Sequence, residues 1–261
     1  MLRPRLIPCL LVHNKGLVKT VNFGTPKYVG DPINAVKIFN EKEVDELIVL
    51  DIDATAKRVE PDYTMIRNLA AECRMPLCYG GGVKTLEQAV RIIKLGVEKV
   101  ALSSAAVADR GLVRTMADYV GSQSVVVVLD VRRKARGGYE VWTHNATVNT
   151  GLDPATLAAE CEAAGAGEIT INSIDRDGVM KGYDLELARL VRDAVSIPMT
   201  VLGGAGSLAD VEALMREFGI VGAAAGSLFV FKGVYKAVLI NYPAPDRKHA
   251  LFERLHAESA R

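Results

Sequence analysis

Ser124-Val125-Val126-Val127-Val128-Leu129-Asp130 lies at the midpoint of the 261-residue chain and decides how the rest is read. Four valines and a leucine without a polar interruption describe a strand buried on both faces, as in parallel sheets covered by helices; a half-exposed strand would alternate. The run stops in an acid. Where a parallel strand ends, its last side chain points toward the crevice in which open α/β sheets and barrels bind ligands. Asp130 is therefore the first candidate site residue, weighed against a solvated loop aspartate or a turn former.

Working outward, short apolar runs alternate with longer amphipathic segments. Strands are expected at Leu6–Val12, Glu46–Asp51, Pro76–Tyr79, Lys99–Leu102, the valine run, Glu168–Asn172, Pro198–Leu202 and Val221–Ala225. Helices are expected at Asp31–Lys42, Tyr63–Cys73, Thr85–Leu95, Arg110–Val120, Pro154–Ala164, Leu185–Ala194 and Ser207–Phe218, with a last helical region from about Gly233 to the end. Asp31 before Pro32 is the favoured cap-then-proline start. Gly137-Gly138 marks a hairpin turn between Val128–Arg133 and Glu140–Thr143. Eight β-then-α units with right-handed crossovers imply a parallel sheet.

The halves also echo each other. Pro76 leads into Gly80-Gly81-Gly82, and Pro198 leads into Gly203-Gly204-Ala205-Gly206. Strand 4 ends in Ser103-Ser104 and strand 8 in Gly226-Ser227, while Asp51-Ile52-Asp53 has a counterpart in Asp175-Arg176-Asp177-Gly178. An offset near 120 residues is too long for a solenoid repeat and fits two half-barrels closed into one (β/α)8 TIM barrel, a single domain over residues 1–261. A doubly wound open sheet is the competing fold.

The length is close to the roughly 250 residues of such a barrel, and 49% hydrophobic with 24% charged residues suits a sizeable core. A formal net charge of +1 argues against bulk attraction to nucleic acid or an anionic membrane. Cys9, Cys73, Cys78 and Cys161 lack ligand spacing and read as core hydrophobes in a reducing compartment. No metal or cofactor is expected. The apolar start is short and broken by Pro8, and no run approaches a membrane span, so a cytoplasmic protein is expected.

The paired glycine and serine strand ends look like two phosphate cradles, since glycine lets backbone N–H groups approach an anion closely. Gly81, Gly82, Ser103 and Ser104 would form one; Gly203, Gly204, Gly226 and Ser227 the other. Glycines that merely relieve tight turns are the alternative, but two sets at matching offsets favour a ligand with a phosphate at each end. Asp130 lies between them along the chain, where a proton-transfer group should act. Asp177 with Gly178 could add donors to the second cradle. Lys19 is a possible mobile cation, set against a solvated surface lysine. Arg5, Glu46, Lys99 and Glu168 open strands 1, 2, 4 and 6 and would converge on the amino-terminal mouth; by themselves they read as an ion-pair ring closing the floor.

At this point the chain resembles HisF, the cyclase subunit of imidazole glycerol phosphate synthase. The resemblance runs from Arg5-Leu6-Ile7-Pro8-Cys9-Leu10 through Gly30-Asp31-Pro32, Gly80-Gly81-Gly82, Asn149-Thr150-Gly151, Asp175-Arg176-Asp177-Gly178 and Gly203-Gly204-Ala205-Gly206-Ser207. It implies a half-symmetric barrel with two phosphate sites and a glutaminase partner, HisH-like, docked at the amino-terminal mouth. Ammonia would cross the barrel to a bis-phosphorylated ribulosyl substrate, giving imidazole glycerol phosphate and an aminoimidazole carboxamide ribotide. Arg5, Glu46, Lys99 and Glu168 fall on that family's ammonia gate, which turns the preferred reading of the ring from floor to gate.

The family's two catalytic aspartates end strands 1 and 5. Asp130 matches the second, but Leu11 stands at the first, and a leucine transfers no proton. Ser103-Ser104 replace an Asn-Thr pair, Asn172 replaces a threonine of strand 6, and Tyr79 fills a smaller residue's place. An ammonia route kept beside an altered chemical face resembles the HisF-like paralogues of surface-polysaccharide clusters, the WbuZ type, which are thought to supply ammonia to a separate sugar amidotransferase. That reading is preferred over a histidine-pathway cyclase and over a non-catalytic phosphosugar-binding barrel.

Overall fold

In a computed structural model of the protein, which describes residues 3–259, the valine run forms β5 (Val125–Arg133) at the centre of a parallel sheet. The other parallel strands are β1 (Arg5–His13), β2 (Leu47–Asp51), β3 (Leu77–Gly80), β4 (Lys99–Leu102), β6 (Glu168–Ser173), β7 (Met199–Leu202) and β8 (Gly222–Ala225). Pairing runs in chain order from β1 to β6, continues through β7 to β8, and returns from β8 to β1. The sheet is thus a closed (β/α)8 barrel, which leaves no parallel edge unpaired.

Alternation along each strand sorts the side chains into two layers. Ile7, Cys9, Ile48, Cys78, Val126 and Val128 point inward, with Ala101, Leu202 and Ala224, and fill a small inner core. Their neighbours, such as Leu6, Leu10, Val127 and Leu129, face the helices in the much larger outer core. Burial on both sides is why the valine run needs no polar alternation.

The covering helices are α1 (Pro32–Glu41), α2 (Tyr63–Glu72), α3 (Leu86–Lys94), α4 (Arg110–Val120), α5 (Pro154–Ala163), α6 (Leu185–Arg192), α7 (Leu208–Phe218) and α8 (Pro245–Ser259). Their starts are written in short polar side chains. Asp31 accepts from the Asn34 N–H at 2.8 Å, and Thr85–Gln88 and Ser207–Asp210 form capping boxes.

β5 continues past Asp130 to Arg133 and pairs antiparallel with Tyr139–Thr143, the hairpin that Gly137-Gly138 announces. Three departures from the expected elements have physical causes. Residues Gly16–Lys19 fold back on β1 and pair with Lys27–Gly30, a ribbon no strong periodicity announces. The region after Gly233 is not continuously helical: Phe231–Lys232 and Ala237–Val238 form a hairpin turning at Gly233, whose φ is 72°, and Pro243 and Pro245 delay α8. Ala260 and Arg261 of that expected helix lie outside the described residues. Finally, Tyr79 points outward. It is fully buried in the helix-facing core with its hydroxyl unpartnered, so it does not alter the site face as expected.

The last segment fastens the seam between β8 and β1. The Tyr242 hydroxyl donates to the Leu6 carbonyl at 2.8 Å, and Lys248 Nζ reaches Asp45 at 2.8 Å. Among the described residues no helix is long and apolar enough to cross a membrane.

Candidate functional site

At the carboxyl-terminal mouth lies a cavity of about 370 Å3. It gathers the residues the sequence singled out for that face, Tyr79 excepted. Asp130, Leu11 and Asn172 rise from its walls; Gly81, Gly82, Ser103 and Ser104 line one side, with Gly203, Gly204, Gly226 and Ser227 on the other, and Lys19, Asp177 and Gly178 also reach it. β1 and β5 are opposite members of the eight-strand ring, so Leu11 and Asp130 face the space from opposite walls.

Asp130 is half-buried, and its pKa is pushed up to about 7. Burial is the main cause, the Asp177 carboxylate adds to it, and a hydrogen bond from Asn172 opposes it. That bond, Asn172 Nδ2 to Asp130 Oδ1 at 3.1 Å, joins residues in register on β6 and β5. Asn172 is itself buried, and its Oδ1 has no partner. Asp130 is therefore a carboxyl that can hold or release a proton near neutral pH.

Lys19 is not a solvated lysine. The ribbon folding back on β1 buries it, and its ammonium donates to the Cys9 carbonyl at 2.7 Å. A Cβ on Gly226 would come within 2.4 Å of Lys19 Nζ, so glycine there makes room for the cation. Burial lowers the Lys19 pKa, which the Asp177 charge partly offsets. Asp177 accepts from Thr20 Oγ1 at 2.7 Å, joining the loop after β6 to the same ribbon. After β3, Gly81 adopts φ of 120°, and a Cβ there would meet the Asp51 carbonyl at 2.3 Å. Only glycine permits both the conformation and the approach.

At the opposite mouth, Arg5, Glu46, Lys99 and Glu168 close a cycle. Arg5 bonds Glu46, and its Nη2 reaches Glu168 at 2.7 Å; Lys99 Nζ reaches Glu46 at 2.8 Å and Glu168 at 2.9 Å. Thr200 donates to Glu168 at 2.5 Å. Burial pushes the Glu168 pKa up, but Arg5, Lys99 and the hydroxyl outweigh it and hold the carboxyl below its usual range. The two cations and two acids neutralise one another.

The sequence reading left out a second group at the cavity: His13, Thr20, Asp51, Asp53, His144 and Asn145. His13 was legible in principle, because β1 alternates inward at 5, 7, 9 and 11, and 13 is next. Asp51 and Asp53 were visible as acids ending strand 2. His144 and Asn145 come from the turn after Tyr139–Thr143, where three successive residues have positive φ and Asn145 Nδ2 donates to the Ile52 carbonyl at 2.7 Å. The hairpin thus reaches over the mouth to the end of β2.

A closed (β/α)8 barrel with its cavity at the carboxyl-terminal mouth defines the class: a TIM barrel, the fold whose enzymes carry their sites where the strands end. The sequence model described as "Histidine biosynthesis protein" matches residues 5–236, and the chain belongs to that family as a HisF-like member. It is 56% identical over 253 residues to the "Putative imidazole glycerol phosphate synthase subunit HisF" of Leptospira interrogans, covering 97% of this chain and 100% of that one. It is 54% identical over 243 residues to the "Putative imidazole glycerol phosphate synthase subunit hisF2" of Pseudomonas aeruginosa, covering 93% and 97%. Against the "Imidazole glycerol phosphate synthase subunit HisF" of Streptomyces coelicolor it is 40% identical over 227 residues, covering 87% and 90%.

Proposed function

We propose that this chain is the ammonia-receiving, HisF-type subunit of a glutamine amidotransferase complex. A HisH-like glutaminase docks on the amino-terminal mouth, and ammonia passes the gate of Arg5, Glu46, Lys99 and Glu168 into the barrel. The carboxyl-terminal cavity holds a phosphorylated small molecule between its cradles, with Lys19, Asp177 and Gly178 on the second. The protein is a diverged paralogue whose ammonia serves sugar amidation in surface-polysaccharide (lipopolysaccharide) synthesis, through a separate sugar amidotransferase.

One observation carries this reading: the charged cycle at one mouth is intact, while at the other Asp130 faces Leu11 rather than a second acid. A positioned proton-transfer group contributes roughly 10²–10⁴-fold, so a cyclase built on two such groups should be slow here. The named relatives run from the Leptospira HisF protein at 56% identity to the Streptomyces HisF protein at 40%. That 40% identity supports a second reading, an imidazole glycerol phosphate synthase cyclase of histidine biosynthesis.

The test combines the purified chain with a HisH-like glutaminase, and separately with ammonium salt and the bis-phosphorylated ribulosyl substrate. Stimulated glutamine hydrolysis is expected, with slow cyclisation that Leu11→Asp raises by roughly 10²-fold or more. Cyclisation at ordinary rates, about 1–10³ per second, would establish the second reading. No stimulation of any glutaminase would leave only a phosphosugar-binding barrel.

A further inference from the structure

The inward face of β1 does not end at Leu11. His13 is the next residue on that face, about 6–7 Å further toward the mouth at the rise of a strand, and it lines the cavity. Its Nδ1 lies 2.7 Å from Asp53 Oδ1. Asp53 is held in turn: its Oδ2 accepts from the Asn14 N–H at 2.7 Å and from Lys57 Nζ at 2.9 Å. Partial burial works against the Asp53 carboxylate, yet Asn14, Lys57 and His13 outweigh it and keep its pKa below the ordinary value. Asp51 fixes the loop beneath, accepting from the Asp53 N–H at 2.8 Å and the Ala54 N–H at 3.2 Å.

This arrangement settles the histidine's tautomer. An ionised carboxylate at Nδ1 keeps the proton there and leaves Nε2 as the atom that can take another. Among the described residues Nε2 meets the exposed Asn14 side-chain amide at 2.9 Å, a contact that a ligand can displace. Across the barrel stands Asp130, a carboxyl able to carry a proton near neutral pH. A base and an acid facing each other over one cavity suit proton abstraction beside a carbonyl.

We propose that His13, oriented by Asp53, is a catalytic base of this cavity, acting opposite Asp130 on a bis-phosphorylated ketose seated between the two glycine cradles. Nε2 takes a proton from the carbon next to the carbonyl while protonated Asp130 gives its proton to the carbonyl oxygen. The C–H electron pair becomes the C=C bond of an enol, and the carbonyl π pair forms the new O–H bond. Reversal returns a solvent-derived hydrogen to the carbon. Because His13 sits one inward position above Leu11, it addresses a different ligand atom from an acid at position 11, so it does not replace that acid in cyclisation. The inference rests on the cavity being a phosphosugar site and is independent of the glutaminase.

The experiment places the whole chain with the bis-phosphorylated ribulosyl substrate in D2O, without ammonia. Binding is followed by calorimetry, and deuterium uptake beside the ketone by mass spectrometry. The parent protein should exchange that hydrogen well above the protein-free rate. His13→Ala should lose roughly 10²-fold or more with affinity kept, and added imidazole should restore exchange. His13→Gln should fail as His13→Ala does, and Asp53→Asn should lower the rate without changing ligand affinity. Binding without exchange, or full exchange in His13→Gln, overturns the assignment of His13 while leaving the phosphosugar site standing. No binding overturns both.

Discussion

Glu168 and Asp130 stand on adjacent strands, one at each mouth of the barrel, and burial pushes both pKa values upward. Their outcomes are opposite. Glu168 meets Arg5 and Lys99 and stays ionised, whereas Asp130 meets the Asn172 amide and a second acid, Asp177, and rises to about 7. Partners, not depth, decide the charge state. The amino-terminal mouth is a neutral lattice in which removing one member strands another. The carboxyl-terminal mouth keeps a carboxyl poised to change its proton.

The largest test of that contrast is Glu168→Ala. It leaves Arg5 and Lys99 sharing Glu46 alone, and an unpaired charge in a buried network costs about 3–5 kcal/mol. Denaturant unfolding should record that loss; a cost under about 1 kcal/mol would mean that water already screens the cycle. Next comes Asp130→Asn, measured against pH. Folding raises the Asp130 pKa from 3.8 to about 7, so the folded state binds the extra proton between these values. Stability therefore falls as pH climbs through that window, and the penalty is complete above it. The asparagine variant should gain on the parent by about 2 kcal/mol more at pH 8 than at pH 5, and an equal gain at both would contradict the raised pKa. The smallest effect is expected from Thr200→Val, which removes one hydroxyl donor from Glu168 and should cost about 1 kcal/mol in the same unfolding assay.

The barrel was legible because its signals are local. A buried parallel strand needs only an apolar run, and a helix start needs only a short cap, so Val125–Leu129, Thr85 and Ser207 announce themselves. The glycine and serine strand ends that line the cavity were legible through a repeated spacing. What escaped depends on contacts between distant residues. Whether Lys19 is buried depends on Leu11 pairing with Val18, which no periodicity reveals. The bond from His13 to Asp53 spans 40 positions and two strand ends. Tyr79 differs for another reason: the resemblance counts it among changes on the site face, although Cys78 points inward and strand alternation turns its neighbour out. The expected helix from Gly233 starts only at Pro245, because the chain first turns back in the hairpin at Gly233 and Pro243 and Pro245 hold the intervening residues out of a helix.

The Tyr242 hydroxyl and the Leu6 carbonyl are separated by 236 positions and bonded at 2.8 Å. A ring of strands differs from an open sheet in that its first member waits for its last. β1 can take β2 early in synthesis, but its other edge stays open until β8 arrives, and the lock over that joint is made from residues later still. Contacts of such long span are slow to form, because the intervening chain must first be drawn together. During translation the chain thus carries a live strand edge through nearly its whole length. The ring closes when β8 pairs with β1, and the tail beyond β8 then clasps that joint.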